Sequence, residues 1–299
     1  MPLILILMLA LFQGVITNYL ILNPDYYQLG AYTWESSVFR EMKLGDGLLK
    51  CEDGAGSTGG SRNAGKAGKA PVLNFDQITT LMIEHDYDME KVKSYHYKDS
   101  LLPSVRSADY RKLKKAYETV LGDLTYFPIP ANIKGNAPNV TFSEGWLDGR
   151  AYRSGGEEKT EDEGKKAARS HEGCDIMGAG KPRGYYPVVS MSDGIVERVG
   201  WLEMGGWRIG IRAPKGAYLY YAHLYGYARD FKEGETVKAG ELLGYMGDSG
   251  YGKTEGTVGN FDVHLHVGIY IKTDHYEEMS VNPYWILRFL EERRLAFSY

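Results

Sequence analysis

Cysteine is scarce in this chain of 299 residues, which contains only Cys51 and Cys174. Two cysteines are too few for a disulfide scaffold or for a zinc finger built from cysteines. The sequence leaves open whether they are two free thiols, which is the simpler interpretation, or form a single bridge.

The chain also lacks an excess of positive charge, because 39 Asp and Glu residues outnumber 35 Lys and Arg residues. The resulting net charge of −4 gives no electrostatic reason to expect binding to nucleic acid. Tyrosine, with 24 copies, and glycine, with 37, are instead abundant. Tyrosine is common in strands and glycine in tight turns, so this composition favours a β-rich fold.

Basic residues are absent before Arg40, and residues 2–16 are almost wholly apolar. This run has the length of the hydrophobic region of a signal peptide, and residues 19–22 extend it toward the length of a membrane-spanning helix. We interpret residues 1–22 as a signal peptide or an uncleaved membrane anchor. A buried core helix is the alternative, because the usual positive charges before such a region are missing.

Two further segments precede the region rich in glycine and tyrosine. Residues 23–70 are interpreted as an extended segment that ends in a linker, because residues 52–70 carry Gly, Ser and charge but no large apolar side chain. Residues 71–125 are predicted to be helical. Asn74 or Asp76 can cap a first helix, and Ser107 can cap a second whose apolar residues form one stripe: Tyr110, Leu113, Tyr117, Val120, Leu121 and Leu124.

Residues 126–299 are predicted to form a mainly β domain. Short β-branched and aromatic runs alternate there with turn signals such as Asp-Gly, which is typical of an antiparallel sandwich or barrel. A charged insertion at 155–169 is expected to be a surface loop, and residues 284–294 a closing helix. The predicted strands are 187–191, 194–199, 207–212, 218–223, 242–246 and 263–271.

Four of the seven histidines occur in three short motifs: His171 in HEGCD, His223 in YAHL, and His264 with His266 in HLH. Residues i and i+2 of a strand project from the same face, so the HLH pair would share one space. In HEGCD, the glycine and the charged residues before it favour a loop that leads into a strand. Each motif taken alone is better explained by ordinary surface or packed histidines.

Together, and in this order, the motifs resemble those of the M23 (LytM, lysostaphin-type) family of zinc metallopeptidases, which cut peptides of bacterial peptidoglycan. The resemblance runs from about residue 126 to the C-terminus. It includes segments between the motifs, such as GETVKAG at 234–240 and VNP at 281–283. It implies an antiparallel β-sandwich or open barrel of the LytM type.

The resemblance also implies a role for each motif residue. His171, Asp175 and His266 correspond to the ligands of one Zn²⁺ per chain, with a fourth position open for water. His223 and His264 correspond to two catalytic histidines. One would take or orient the proton of the water, and the other would stabilise the oxyanion and help to protonate the leaving amine. Which histidine performs which step is left open.

These roles imply a zinc-dependent endopeptidase that hydrolyses peptide bonds of cell-wall peptidoglycan with a metal-activated water. It would act outside the cytoplasmic membrane, either secreted or anchored to its outer face. The alternative is a non-catalytic LytM-like module that binds the wall or regulates other hydrolases. Such modules have lost ligands, whereas all five positions are present here. A biotinyl- or lipoyl-type sandwich shares the glycine-rich turns but lacks these residues.

Other residues near the motifs depart from the family or lack a role in it. Residues 250–263 form a longer approach to HLH than is usual in the family, which is expected to reshape a wall of the groove. Asp248 and Asp262 could accept hydrogen bonds from ligand histidines, although turn roles are the simpler interpretation. The remaining histidines, which are His85, His96 and His275, are interpreted as surface residues.

Overall fold

The computed structural model describes six stretches of the chain, which are residues 2–22, 29–49, 72–92, 107–134, 139–150 and 169–299. The predicted linker at 52–70, Cys51 and His96 lie outside these stretches. The predicted charged insertion also lies outside them, except for its last residue.

A nine-stranded antiparallel sheet forms the body of the described molecule, and the predicted mainly β, antiparallel fold is confirmed. Its strands are β4 (Cys174–Met177), β5 (Pro187–Val189), β6 (Gly194–Leu202), β7 (Gly206–Arg212), β8 (Tyr218–Tyr227), β9 (Thr236–Val237), β10 (Leu242–Met246), β11 (His264–Ile271) and β12 (Met279–Val281). Six of these strands lie side by side in the order β12-β11-β8-β7-β6-β9. In addition, β4 pairs with β11, and β10 pairs with both β8 and β5.

Among the described residues, two further sheets of two strands each form no backbone hydrogen bonds with the strands of the large sheet. One is a parallel pair of β1 (Ala131–Asn132) with β13 (Ala296–Phe297), and the other is an antiparallel pair of β2 (Gly149–Arg150) with β3 (Arg169–Ser170). The second pair leads directly into the HEGCD motif.

Side chains of the central strands alternate between two faces, as expected for extended backbone. One face packs into the hydrophobic core through fully buried residues, which include Ile209, Ile211, Leu219, Tyr221, Leu265 and Val267. The opposite face carries the polar residues of the motifs, and we name it the site face. It comprises Asp175 of β4, Arg208 and Arg212 of β7, Tyr218, Tyr220 and Ala222 of β8, and His264, His266 and Tyr270 of β11.

All six predicted strands are present, with changes at their ends. β8 continues four residues beyond His223, because its last part leaves β7 and pairs with β10 across a shift in register. The predicted closing helix at 284–294 is shorter and spans Tyr284–Leu290.

In the described part of the chain, six helices surround or precede the sheet: α1 (Pro2–Leu22), α2 (Ser37–Arg40), α3 (Gly45–Leu48), α4 (Phe75–Glu84), α5 (Ser107–Leu121) and α6 (Tyr284–Leu290). Asn74 caps α4 by accepting a hydrogen bond from the backbone N–H of Gln77 at 3.0 Å. The predicted apolar stripe of α5 is buried in full. A hydrogen bond of 2.9 Å between Thr80 and Tyr110 joins these two helices.

The described side chains of helix α1 are all exposed or half-buried. The alternative of a buried core helix is therefore wrong. By length and composition, the helix is long and apolar enough to cross a membrane.

The prediction of an extended segment over residues 23–70 is wrong for residues 29–49. These residues form a 3₁₀ turn at Thr33–Glu35 followed by α2 and α3, and they bury seven apolar side chains: Leu29, Trp34, Phe39, Met42, Leu44, Leu48 and Leu49. So many apolar groups in a short segment stabilise a packed structure against the entropy of an extended one.

Arg40 and Phe39 attach this segment to the rest of the molecule. The Arg40 guanidinium donates hydrogen bonds to the carbonyl and hydroxyl of Ser280, at 3.0 and 2.8 Å. The ring of Phe39 meets that of Tyr117 edge-on, with centroids 5.1 Å apart. Residues 29–49, helices α4, α5 and α6 and the sheet thus share one hydrophobic core. The predicted domain boundaries at 71 and 126 stay predictions.

Replacing Phe39 with alanine should reduce the free energy of unfolding by about 3–5 kcal/mol, because the ring is fully buried and leaves a cavity. Chemical denaturation of the full chain measures this change. Val38→Ala is the matched control, because Val38 lies on the same short helix but is 40% exposed, and it should change stability by less than about 0.5 kcal/mol. Equal effects of the two substitutions would contradict the packing of residues 29–49 into the core.

Candidate metal centre

The pairing of β4 with β11 brings two of the motifs together. The two strands are antiparallel, and His266 lies directly opposite Asp175. Because i and i+2 share a face, His264 lies beside His266 on the site face. His171 precedes β4 in the loop after β3, as the glycine in HEGCD predicted.

Three side-chain atoms converge at this point. His171 Nε2 lies 3.0 Å from Asp175 Oδ1, His266 Nδ1 lies 2.9 Å from the same oxygen, and the two nitrogens are 3.1 Å apart. His171 is buried, and the other two residues are half-buried. These three residues form the group of potential metal ligands found among the described residues.

The donor set fits a small divalent cation. His171 Nδ1 donates a hydrogen bond to the carbonyl of Gly145 at 2.9 Å, so the lone pair of the neutral ring is on Nε2 and faces the cluster. Two imidazole nitrogens and a carboxylate oxygen are typical zinc ligands, and tetrahedral zinc holds such atoms about 3.3 Å apart. The observed separations are close to this value, and a cation would offset the repulsion between the lone pairs.

The electrostatics of the site also favour a charged carboxylate. Burial alone would raise the pKa of Asp175, but the close approach of the His171 and His266 rings outweighs it, together with any positive charge on His266 and His264. The net result is a pKa well below the usual range for aspartate. Asp175 is therefore ionised and available as an anionic ligand at neutral pH.

Gly173 sets the orientation of the His266 ring. A Cβ atom at this position would lie 2.5 Å from His266 Nε2 and 2.7 Å from the carbonyl oxygen of Val267. Only glycine lets the ring pack this closely, with Nε2 against the HEGCD loop and Nδ1 toward His171 and Asp175. In the sequence, Gly173 indicates only a loop, because its contact with His266 joins segments that are far apart in the chain.

His223 and His264 lie next to the cluster. Their ring centroids are 4.7 Å apart, and His264 Nε2 is 3.7 Å from Asp175 Oδ1. Each ring donates through Nδ1 to a backbone carbonyl, His223 to Ser249 at 2.8 Å and His264 to Asp262 at 2.7 Å. In the neutral rings, the lone pairs are therefore on Nε2.

His223 has two unusual properties. Its backbone φ is 61°, in the left-handed region that non-glycine residues seldom adopt outside functional sites. Burial, followed by the charges of His264 and His266, lowers its pKa well below the ordinary value. The neutral ring of His223 is thus favoured at physiological pH.

Two aromatic side chains from the long approach at 250–263 pack against these histidines. The Phe261 ring lies 4.7 Å from that of His223 and 5.1 Å from that of His264, and Tyr251 stacks on His223 at 5.8 Å. The sequence predicted that this segment reshapes a wall of the groove. It did not single out either aromatic residue.

The other acidic and histidine residues considered in the sequence contribute no side chain to the metal cluster. Asp248 accepts hydrogen bonds from the backbone of Gly259 and forms an ion pair with Arg183, at 3.0 and 2.9 Å. Asp262 contributes its carbonyl to His264, rather than its carboxylate. His275 is exposed and bonds to Glu35 at 2.8 Å, and His85 is half-buried.

Comparison with known proteins identifies a family that this chain matches. The model of peptidase family M23 matches residues 169–283, which contain all five motif positions. The L-Ala–D-Glu endopeptidase of Bacillus subtilis is 34% identical over 251 residues, covering 80% of this chain and 67% of that protein.

Solved structures that are similar to the chain include two bacterial proteins. A Ruminococcus gnavus protein that has been proposed to be a glycyl-glycine endopeptidase LytM is 35% identical, with a TM-score of 0.68 over 92% of this chain and 98% of that one. The catalytic domain of lysostaphin from Staphylococcus simulans is 24% identical, with a TM-score of 0.35 over 50% of this chain and 92% of that one. The chain belongs to peptidase family M23 and is an endopeptidase of that family.

Proposed function

We propose that the protein is a zinc-dependent endopeptidase that hydrolyses peptide bonds in bacterial peptidoglycan. His171 Nε2, Asp175 Oδ1 and His266 Nδ1 would hold one Zn²⁺ per chain. The observation that carries this proposal is the convergence of these three atoms to within 3.1 Å of one another. When bound, Zn²⁺ supplies Lewis-acid chemistry, activating a water molecule and polarising the peptide carbonyl.

His223 and His264 would handle the protons of the reaction. Because Nδ1 of each ring donates to a carbonyl, Nε2 is the atom that accepts a proton from water. The protonated ring can then return this proton to the leaving amine or donate a hydrogen bond to the oxyanion. The carbonyls of Ser249 and Asp262 keep each ring oriented while its charge changes.

Two contacts exclude water from this side of the site. Phe261 packs against both histidines, and Tyr251 covers one face of His223. Exclusion of water strengthens the interaction between the histidines and the charge that develops on the substrate.

The place of action would be outside the cytoplasmic membrane, where peptidoglycan is found. The apolar helix α1 is compatible with a signal sequence or an anchor on the outer face. The two relatives above are named for different bonds, one beside an acidic residue and the other between glycines.

Zinc content of the purified full chain, together with mass spectrometry of fragments released from several types of cell wall, tests the proposal. We expect one zinc per chain and release of peptide fragments. A protein that binds one zinc but releases nothing from any wall type would contradict the enzymatic function.

Substitution of the two HLH histidines should have unequal effects on zinc. His266→Ala removes a ligand and should empty the site, whereas His264→Ala should leave zinc bound and reduce turnover by at least about 100-fold. Metal analysis after dialysis, with wall hydrolysis in parallel, measures both effects. Loss of zinc from both variants to the same extent would contradict the assigned roles.

Gly173→Ala should weaken zinc binding on the order of 10- to 100-fold, because the added methyl group displaces the His266 ring. Competition with a zinc chelator measures the affinity. Gly226→Ala is the matched control, because a Cβ atom there meets nothing within 4 Å, and its zinc affinity should equal that of the unmodified protein. Unchanged affinity in the Gly173 variant would show that the ring is oriented otherwise.

Because the pKa of His223 is lowered, its ring should stay neutral as the pH falls to the ordinary value of about 6.5 and take up a proton only below it. NMR titration of zinc-free protein with labelled histidine measures this, and His223→Gln identifies the resonance. Below pH 6.5, the side chain at position 223 takes up a proton more readily in the unfolded chain than in the native protein. Lowering the pH should therefore reduce the free energy of unfolding more for the unmodified protein than for His223→Gln. Half-protonation of His223 above pH 6.5 would contradict the lowered pKa of this residue.

A further inference from the structure

Two arginines of β7 share the site face but differ in their partners. Arg212 is held by the carboxylate of Glu197 in two hydrogen bonds, at 2.5 and 2.7 Å. Arg208 forms no ion pair with any described residue, and its buried Nη1 atom has no hydrogen-bond partner among them. A guanidinium nitrogen that is removed from water without an acceptor carries an energetic cost. An anionic ligand would remove this cost.

The register of the sheet places Arg208 close to the metal cluster. Arg208 lies opposite Ala222 and His223 of β8, between the pairs Trp207–Leu224 and Ile209–Tyr221. Ala222 in turn pairs with His266, which pairs with Asp175. Adjacent strands are about 4.8 Å apart, so the backbones of Arg208 and His266 are about 10 Å apart.

One small residue of the site face separates Arg208 from His266. The residue between it and His266 is Ala222, whose methyl group adds little bulk. Tyr220 also borders this space: its ring lies 6.0 Å from that of His266, and its hydroxyl occupies the position where a side chain of Gly205 would lie. Burial raises the pKa of Tyr220, whereas the charge of Arg208 opposes that rise, so the guanidinium lies within electrostatic reach of this hydroxyl.

We propose that Arg208 binds a carboxylate of the substrate, and that it makes the enzyme select acidic peptides over neutral ones. An extended peptide spans at most about 3.6 Å per residue, so the acidic residue lies within about three residues of the scissile bond. Arginine binds carboxylates through two parallel hydrogen bonds, which gives both affinity and orientation. This inference rests on the proposed peptidase function and adds a substrate preference to it.

A pair of synthetic peptides that differ only in one charge tests the proposal. The first is L-Ala-γ-D-Glu-L-Lys-D-Ala with an amidated C-terminus, and in the second the free carboxylate of the glutamate is a carboxamide. The zinc-loaded full chain should cleave the first peptide with a kcat/KM about 10- to 100-fold higher than the second. The difference should lie mainly in KM.

Variants of Arg208 connect the preference to this residue. Arg208→Gln should lower cleavage of the carboxylate peptide to the level of the carboxamide peptide, with zinc content unchanged, whereas Arg208→Lys should retain part of the preference. Arg198→Gln is the matched control, because Arg198 is exposed and pairs with Glu233 at 3.2 Å, and the preference should persist. A merely structural role of Arg208 would instead reduce cleavage of both peptides equally.

Equal cleavage of the two peptides by the unmodified protein, or a preference that survives in Arg208→Gln, would overturn the proposal and leave the peptidase function standing. If neither peptide is cleaved, calorimetric binding of both to zinc-loaded protein decides. Tighter binding of the carboxylate peptide that depends on Arg208 supports the proposal, and equal binding overturns it. Failure of the peptidase function is recognised separately, by the absence of fragments from every cell wall.

Discussion

The antiparallel register of β4 with β11 is the constraint on which the site depends. It sets His266 opposite Asp175, while alternation along β11 sets His264 on the same face. A shift of the register by one residue would turn both histidines into the core. The buried residues between them, Leu265 and Val267, oppose such a shift because they would lose their packing. Packing of the core thus holds the metal ligands in place.

Backbone carbonyl groups orient three of the histidine rings in the site. Carbonyls of Gly145, Ser249 and Asp262 each accept a hydrogen bond from Nδ1 of one histidine, and so leave Nε2 of that ring facing the site. His266 is the exception, because Gly173 leaves room for its ring to turn Nδ1 inward. This difference separates His266 from His264, although both lie on one strand face. The hydrophobic core beneath them includes side chains of residues 29–49, which are therefore part of the folded protein.

The sequence predicted the features that side-chain patterns carry. Short β-branched and aromatic runs between turn signals identified the central strands, the stripe of α5 identified its buried face, and the three motifs identified residues that meet in space. It did not predict which carbonyls orient the histidines, because every residue has the same carbonyl. It also missed the packing of Phe261 and the short helices at 29–49, which depend on contacts between distant segments. The sequence also did not show that Nη1 of Arg208 has no hydrogen-bond partner among the described residues, because a sequence does not show which carboxylates lie nearby.

The central claim is that His171 Nε2, Asp175 Oδ1 and His266 Nδ1 bind a single zinc ion. His264 lies next to the ion without binding it. Anomalous diffraction at the zinc absorption edge, from crystals of the zinc-loaded protein, tests this claim most directly. We predict one anomalous peak about 2.0–2.2 Å from these three atoms and no direct bond to His264. A zinc ion bound through His264 or His223 in place of His266, or no peak in this cluster, would contradict the account.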